Sequence, residues 1–187
     1  MDINKKNRIC PVEHAGVLDL NLRKLIQNPK KILKPYINNG MTVLDLGCGP
    51  GFFTLEISKI IGTSGKVIAA DLQEGMLEKI RKKIENSSIY NNIKLHKCQK
   101  NKIGILEKVD FILVFYMLHE IPDQSAFLKE LKILLKPEGK ILIVEPKFHV
   151  SKNDFNDSMM IIKDDGFSII KKPKILFSRS VVIRKDF

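Results

Sequence analysis

Three glycines at every second position, Gly47, Gly49 and Gly51, follow a short apolar run that ends in Leu44-Asp45-Leu46. Residues without side chains at this spacing let the chain turn sharply and bring main-chain N–H groups close to a polar ligand at the start of a helix. Asp45 adds a carboxylate, which repels a pyrophosphate and attracts a cation. A second acid, Asp71, ends the next apolar run about 20 residues past the glycines, where α/β nucleotide sites set a carboxylate on ribose hydroxyls. An ionised carboxylate accepts from both hydroxyls at once; the same acid could instead cap the helix that follows it. Leu72 and Met76 stand where an adenine ring needs apolar walls. Side chains able to carry a proton gather behind the fourth and fifth apolar runs: Tyr116, His119, Glu120, Glu145 and His149.

The glycine spacing is G-x-G-x-G and differs from the G-x-G-x-x-G of dinucleotide sites, so a nicotinamide-dependent dehydrogenase is disfavoured. The run Val43-Leu44-Asp45-Leu46-Gly47-Cys48-Gly49-Pro50-Gly51 resembles the first motif of class I S-adenosylmethionine-dependent methyltransferases. Tyr116-Met117-Leu118-His119-Glu120-Ile121-Pro122-Asp123 is similar to a segment of that family's small-molecule branch. The resemblance implies S-adenosylmethionine as cofactor and S-adenosylhomocysteine as product, a ligand with an ammonium and a sulfonium and no phosphate. It implies that Asp45, Gly47, Cys48, Gly49, Gly51 and Phe115 surround the cofactor and that Asp71 holds its sugar, with Leu72 and Met76 beside its base. Many relatives carry an acid near the adenine amino group; this chain has Cys98-Gln99-Lys100-Asn101 there, so Gln99 is the candidate contact.

A sulfonium is already an activated methyl donor, so the protein's work is to orient the partners and exclude water. No metal is required. A base is needed only where the acceptor must lose a proton. His119 is the first candidate, with Glu120 as a second titrating group and Tyr116 as a hydrogen-bonding wall; Glu145, His149 and His14 are further candidates. The Asn-Pro-Pro-Tyr-like string of enzymes that methylate exocyclic or amide nitrogens is absent after strand four, and no cysteine follows strands four or five as a nucleophile. The expected reaction is methyl transfer to a small molecule. An RNA or protein acceptor, and a non-catalytic S-adenosylmethionine-binding module, are the alternatives. Cys10, Cys48 and Cys98 raise a metalloid acceptor, but small buried cysteines explain them more simply.

Apolar runs alternating with amphipathic stretches predict the elements that hold these residues. Strands are expected over residues 42–46, 66–71, 93–96, 109–115 and 140–145. Helices are expected over 52–61, after Leu72, after Asp123, and behind Ser151, whose Ser-Lys-Asn-Asp spacing is that of a capping box. Phe167 to Lys171 and Ser180 to Arg184 are too closely connected for a parallel crossover and are expected to pair antiparallel. The expected fold is a Rossmann-like, doubly wound, mainly parallel seven-stranded sheet with a C-terminal antiparallel hairpin and helices on both faces. All 187 residues are expected to form one domain, with residues 1–35 as a helical cap and 36–187 as the core.

Composition narrows the setting. No stretch is apolar for long enough to cross a bilayer, so no membrane partner is expected. The polar N-terminus is not a secretory signal, and three cysteines make no disulfide framework; a cytoplasmic location is expected. The net charge is +11, which makes a nucleic-acid partner possible. The lysines are spread over the outer faces of predicted helices, and their clusters are not interleaved with aromatics, so solvated faces are favoured.

Overall fold

In the computed structural model, residues 26–85 and 87–186 are described. Most of the expected helical cap, residues 1–25 of 1–35, therefore lies outside the described residues, as do Cys10 and His14. The elements run α1 (Pro29–Leu33), β1 (Thr42–Leu46), α2 (Thr54–Ile61), β2 (Lys66–Asp71), α3 (Glu74–Ile84), β3 (Ile93–Lys97), β4 (Val109–Phe115), α4 (Gln124–Leu134), β5 (Leu135–Pro146), α5 (Lys152–Asp164), β6 (Phe167–Lys171) and β7 (Ser178–Lys185). Short 3-10 turns occupy Ser88–Tyr90 and Leu118–Glu120.

The strands form one sheet in the order β3-β2-β1-β4-β5-β7-β6. The first five are parallel; β7 inserts antiparallel beside β5, and β6 pairs antiparallel with β7. Val43, Leu44, Val67, Ile68, Ile112 and Leu113 are at most 1 % exposed, as both faces of a covered parallel sheet require. One face carries Val43, Val67, Phe111 and Leu113 against α1 and α2, with α3 resting on Ala69 through Leu77 and Ile80. On the other face, Leu44, Ile68, Ile112 and Ile141 meet α4 and α5. The crossover from β3 to β4 holds no helix. Ile103 and Ile105 of this extended segment cover the sheet face instead, pinned by Glu130, whose Oε1 accepts the Ile103 N–H at 2.9 Å.

Local signals match these elements closely. Asp123 caps α4 by accepting the Ala126 N–H at 2.9 Å, and Ser151 and Asp154 form the reciprocal capping box of α5. The largest difference in boundary is at β5. Strand β5 begins at Leu135 directly after α4, because Val109 pairs with Leu135 and Phe111 with Lys140. Residues 136–139, which precede the expected strand over 140–145, are an excursion inside β5, held where Lys136 Nζ meets Asp110 Oδ2 at 2.7 Å.

The doubly covered sheet sets the stability response. Ile57→Ala, at a fully buried α2 position, is expected to cost about 3 kcal/mol in chemical denaturation. Leu106→Ala, at a position 94 % exposed, should change stability by less than about 0.5 kcal/mol.

Candidate functional site

Open α/β sheets bind ligands outside the carboxyl ends of their strands, where the strand order reverses. Here that point lies between β1 and β4, because β1 neighbours β2 on one side and β4 on the other. Residues 47–53 leave β1 there and lead into α2. The N–H groups of Gly47 and Cys48 both reach the Ala70 carbonyl, at 2.8 and 3.1 Å, so the turn is stitched to the end of β2. Gly49 has φ +52, and a Cβ built on it meets nothing within 4 Å, so open space lies above it. A Cβ on Gly51, at φ +87, would lie 2.9 Å from Ile80. One glycine thus faces a ligand space and the other lets α3 pack.

Asp71 is 8 % exposed and organises this edge. Its Oδ2 accepts the Gly49 N–H at 2.9 Å and its Oδ1 the Gln73 N–H at 2.9 Å. Burial raises its carboxyl above the ordinary range, opposed by N–H donors from Gln73, Gly49 and Leu72. Asp45 pairs in register with Ala69, which alternation puts on the same sheet face as Asp71. It is 2 % exposed, and its Oδ2 accepts the Thr54 hydroxyl at 2.6 Å. Asp45 therefore ties β1 to the first turn of α2, where a negative charge is favourable. Cys48 is 7 % exposed and packs with Ala69, Leu77 and Ile80. Burial first, then the Asp45 and Asp71 carboxylates, pushes its thiol up out of the reactive range.

The other expected cofactor residues divide. Met76 is buried and Leu72 half-buried, beside Asp71. Gln99 is exposed, and its main chain closes a tight turn with Lys102. Cys98 is the neighbour that lies against Asp71, its N–H bonded to the Asp71 carbonyl at 2.9 Å. Its thiol is pushed up to about 12 by burial, then by the Asp71 and Glu130 carboxylates. Phe115 is 8 % exposed and contacts Phe53 and Tyr116 at ring separations of 4.4 and 4.5 Å.

The proton-carrying residues meet at the ends of β4 and β5. Glu145 is 2 % exposed. Its Oε1 accepts the Leu118 N–H at 3.0 Å, and its Oε2 lies 2.5 Å from His119 Nδ1. Glu145, which the sequence offers as a candidate base, is therefore a buried anchor for the turn that carries His119. The His149 ring stacks on that of His119 at 6.2 Å. Burial pushes the Glu120 carboxyl up to about 7, opposed by His119 and reinforced by Glu145 and Asp71. That coupling brings Glu120 and Asp71 within electrostatic reach of each other. Tyr116 holds φ 61, a left-handed conformation uncommon for a bulky residue. Gln27 Nε2 donates to its hydroxyl, which lies 2.7 Å from Ser178 Oγ, while Ser178 Oγ donates to the Leu176 carbonyl at 3.1 Å. The phenol proton is thus committed to Ser178. Gln27 and Ser178 carry no local sequence signal; only the folded contact reveals them.

The site fits a cationic nucleoside. It offers open space at Gly49, a carboxylate at the end of β2, and no lysine or arginine among the groups that shift Asp71 or Glu120. Asp71, the glycine turn, Leu72 and Met76 would hold such a group. Among the described residues no cluster suits a metal ion, and no helix is long and apolar enough to cross a membrane.

Because Glu120 is raised in the fold, stability that is full below the unfolded carboxyl value, near 4.5, is lost as pH rises through about 7. Glu120→Gln should therefore be more stable than the native chain above pH 7, by roughly 1–2 kcal/mol after solvent screening of a half-buried group. Thermal melts should show that advantage vanishing toward pH 4.5.

A family model described as a methyltransferase domain matches residues 37–173, well over half of the chain. The ubiquinone/menaquinone biosynthesis C-methyltransferase of Escherichia coli is 31 % identical over 110 residues, covering 58 % of this chain and 44 % of that protein. The chain thus spans under half the length of the curated relatives it matches. The structure of a SAM-dependent methyltransferase from Aquifex aeolicus superposes with TM-score 0.83 at 29 % identity, covering 94 % of this chain and 98 % of that one. Magnesium protoporphyrin IX methyltransferase from Synechocystis, solved with SAM bound, shares the fold with TM-score 0.69 at 17 % identity, over 97 % of this chain and 86 % of that one. With the glycine turn, Asp71 and the switch point already in place, the match is decisive: the chain belongs to the methyltransferase-domain family of class I enzymes that use S-adenosylmethionine.

Proposed function

We propose that this enzyme methylates a small molecule with a flat, largely apolar body. The observation that carries this reading is an unbroken band of aromatic rings at the carboxyl edge. Phe52 and Phe53 follow the glycine turn, Phe115 and Tyr116 end β4, and Phe148 and His149 follow β5. Successive ring centroids lie 5.1, 4.4, 4.5, 6.4 and 4.9 Å apart, and His149 stacks on His119 to close the row. Phe53 and Phe115 are buried within the band, while Phe52 and Tyr116 are half-buried and Phe148 is exposed; the open rings suit a planar acceptor, whose faces find offset or edge contacts.

When bound, S-adenosylmethionine supplies a methyl group on a positively charged sulfur. The chain's own residues do the rest. Asp71 and the glycine turn orient the donor, and the ring band aligns the acceptor for in-line attack and excludes water. His119 and Glu120 border the reacting atoms, with Tyr116 as the wall between. The placement of Gln27 beside the acceptor side belongs to this reading, supported by its contact with the Tyr116 hydroxyl. So does a single domain in a cytoplasmic setting, supported by the free thiols of Cys48 and Cys98.

A second reading, an RNA acceptor, has one specific observation in its favour. Phe148 and Phe177 are 70 % and 56 % exposed and are drawn together by the Lys147 N–H on the Phe177 carbonyl. Phe177 lies three residues past the cluster Lys171-Lys172-Pro173-Lys174 in the chain, and this contact brings a second exposed ring, Phe148, toward it.

Mass spectrometry of reactions with pooled phenols and thiols should detect methylated product with stoichiometric S-adenosylhomocysteine. Asp71→Ala should weaken S-adenosylhomocysteine binding by about 10–100-fold in calorimetry. Tight, steeply salt-dependent binding of tRNA with no small-molecule turnover would favour the second reading.

A further inference from the structure

We infer that Arg179 is a specificity-determining residue that pairs with a carboxylate on the methyl acceptor. This rests on the small-molecule reading above and narrows its substrate class to flat, largely apolar molecules that carry an acid group.

Arg179 lies near the start of β7, opposite Glu145 in the antiparallel ladder. Direct cross-strand partners share a sheet face. Its side chain therefore leaves β7 on the side where the Glu145 carboxylate holds the turn that carries His119. The residues around it in the chain are tied to the same edge. Ser178 Oγ lies 2.7 Å from the Tyr116 hydroxyl, the Phe177 carbonyl accepts the Lys147 N–H at 3.0 Å, and Ser180 Oγ donates to the Pro173 carbonyl. Strands β1, β4 and β5 lie between β7 and β2, so Arg179 belongs to the acceptor side and is clear of the cofactor carboxylate Asp71.

The guanidinium lacks what a buried cation requires. Its Nη1 is buried and has no hydrogen-bond partner among the described residues, while the side chain as a whole is half-buried and open to an incoming group. Among the described residues no carboxylate lies within ion-pairing distance of it. Glu145, the acid opposite, is spent on the Leu118 and His119 N–H groups and on His119 Nδ1. A guanidinium N–H taken out of water without an acceptor is costly. Two other buried atoms, Gln124 Oε1 and Asp165 Oδ2, also lack partners. Each belongs to a group anchored through its other atoms: Gln124 Nε2 donates to the Leu118 carbonyl at 3.2 Å, and Asp165 Oδ1 accepts the Ser125 hydroxyl at 2.9 Å. Arg179 has no such anchor among the described residues, and it carries a full charge.

The missing partner has a definable chemistry. A guanidinium presents a planar fork of donors and no acceptor, so it selects a group that is flat, negatively charged and able to accept two parallel hydrogen bonds. A carboxylate meets all three conditions, and its single charge is balanced by one arginine. A phosphate dianion calls for a second cation held beside the first, and the neighbouring Lys147 is exposed. With the open rings of the aromatic band against the acceptor's faces and Arg179 on its acid group, one edge of the acceptor is fixed. Such an anchor sets which atom meets the methyl donor.

Naphthalene-2-carboxylate and naphthalene-2-carboxamide, flat probes of nearly equal shape that differ in charge, test this by calorimetry on the S-adenosylhomocysteine complex. The native chain should bind the acid about tenfold more tightly than the amide. Arg179→Gln should bring the two affinities to within about twofold of each other, and Arg179→Lys, which keeps the charge and loses the fork, should retain only part of the preference. In both variants S-adenosylhomocysteine affinity should stay within about twofold of native, because three strands separate Arg179 from Asp71. That affinity also reports folding; where Arg179→Gln loses it, Arg179→Lys and the native pair of affinities decide the matter. Equal binding of acid and amide by the native chain, or a preference that survives unchanged in the folded variants, overturns the assignment of Arg179 and leaves small-molecule methylation standing. Failure of both probes to bind, with S-adenosylhomocysteine bound normally, overturns the flat, apolar acceptor as well.

Discussion

The end of β2 is the point on which the rest of the molecule depends. In two residues it answers main-chain donors from three directions. The Ala70 carbonyl takes the N–H groups of Gly47 and Cys48, and the Asp71 side chain takes those of Gly49 and Gln73. A further donor, the Cys98 N–H, lands on the Asp71 carbonyl. Main-chain groups at the rim of a covered sheet must find partners or lose several kcal/mol each, and here one strand end supplies them for β1, α3 and β3 together. The glycine turn, the start of α3 and the exit from β3 thus share one geometry. A ligand that engages Asp71 touches all three.

A second buried carboxylate does parallel work on the other half of the sheet. Glu145 at the end of β5 fixes the turn after β4 as Asp71 fixes the turn after β1. Both acids accept from main-chain N–H groups of a neighbouring element, so both are satisfied inside the fold before any ligand arrives. The two anchored turns face each other across the point where the strand order reverses. Preorganisation of this kind is what a reaction limited by orientation requires.

How much of this was legible in the chain follows from the range of each signal. The glycine turn, the apolar runs of β1, β2 and β4, the Asp123 cap and the Ser151 capping box are set by neighbours within a few residues, and the sequence displays them directly. The positions of Asp71 and His119 at strand ends also follow from the runs that precede them. Other roles depend on partners far away in sequence. Glu145 looks like any strand-end acid until Leu118 and His119 are folded onto it. Nothing near Asp45 in the chain announces that the Thr54 hydroxyl turns back to meet its carboxylate. Gln27 and Ser178, 89 and 62 residues from Tyr116, leave no trace in local composition. Strand β5 was shortened for the same reason: only its pairing with Val109 discloses that Leu135 already belongs to the sheet.

The order of the last three strands has a consequence for how the molecule is made. Strand β7 follows β6 in the chain yet lies between β5 and β6, and β6 has no other partner in the sheet. Until β7 emerges during synthesis, the Ile141-Leu142-Ile143-Val144 stretch of β5 presents an apolar, unpaired border. Such borders recruit foreign strands. The residues of β7 therefore decide between closure of the sheet and aggregation.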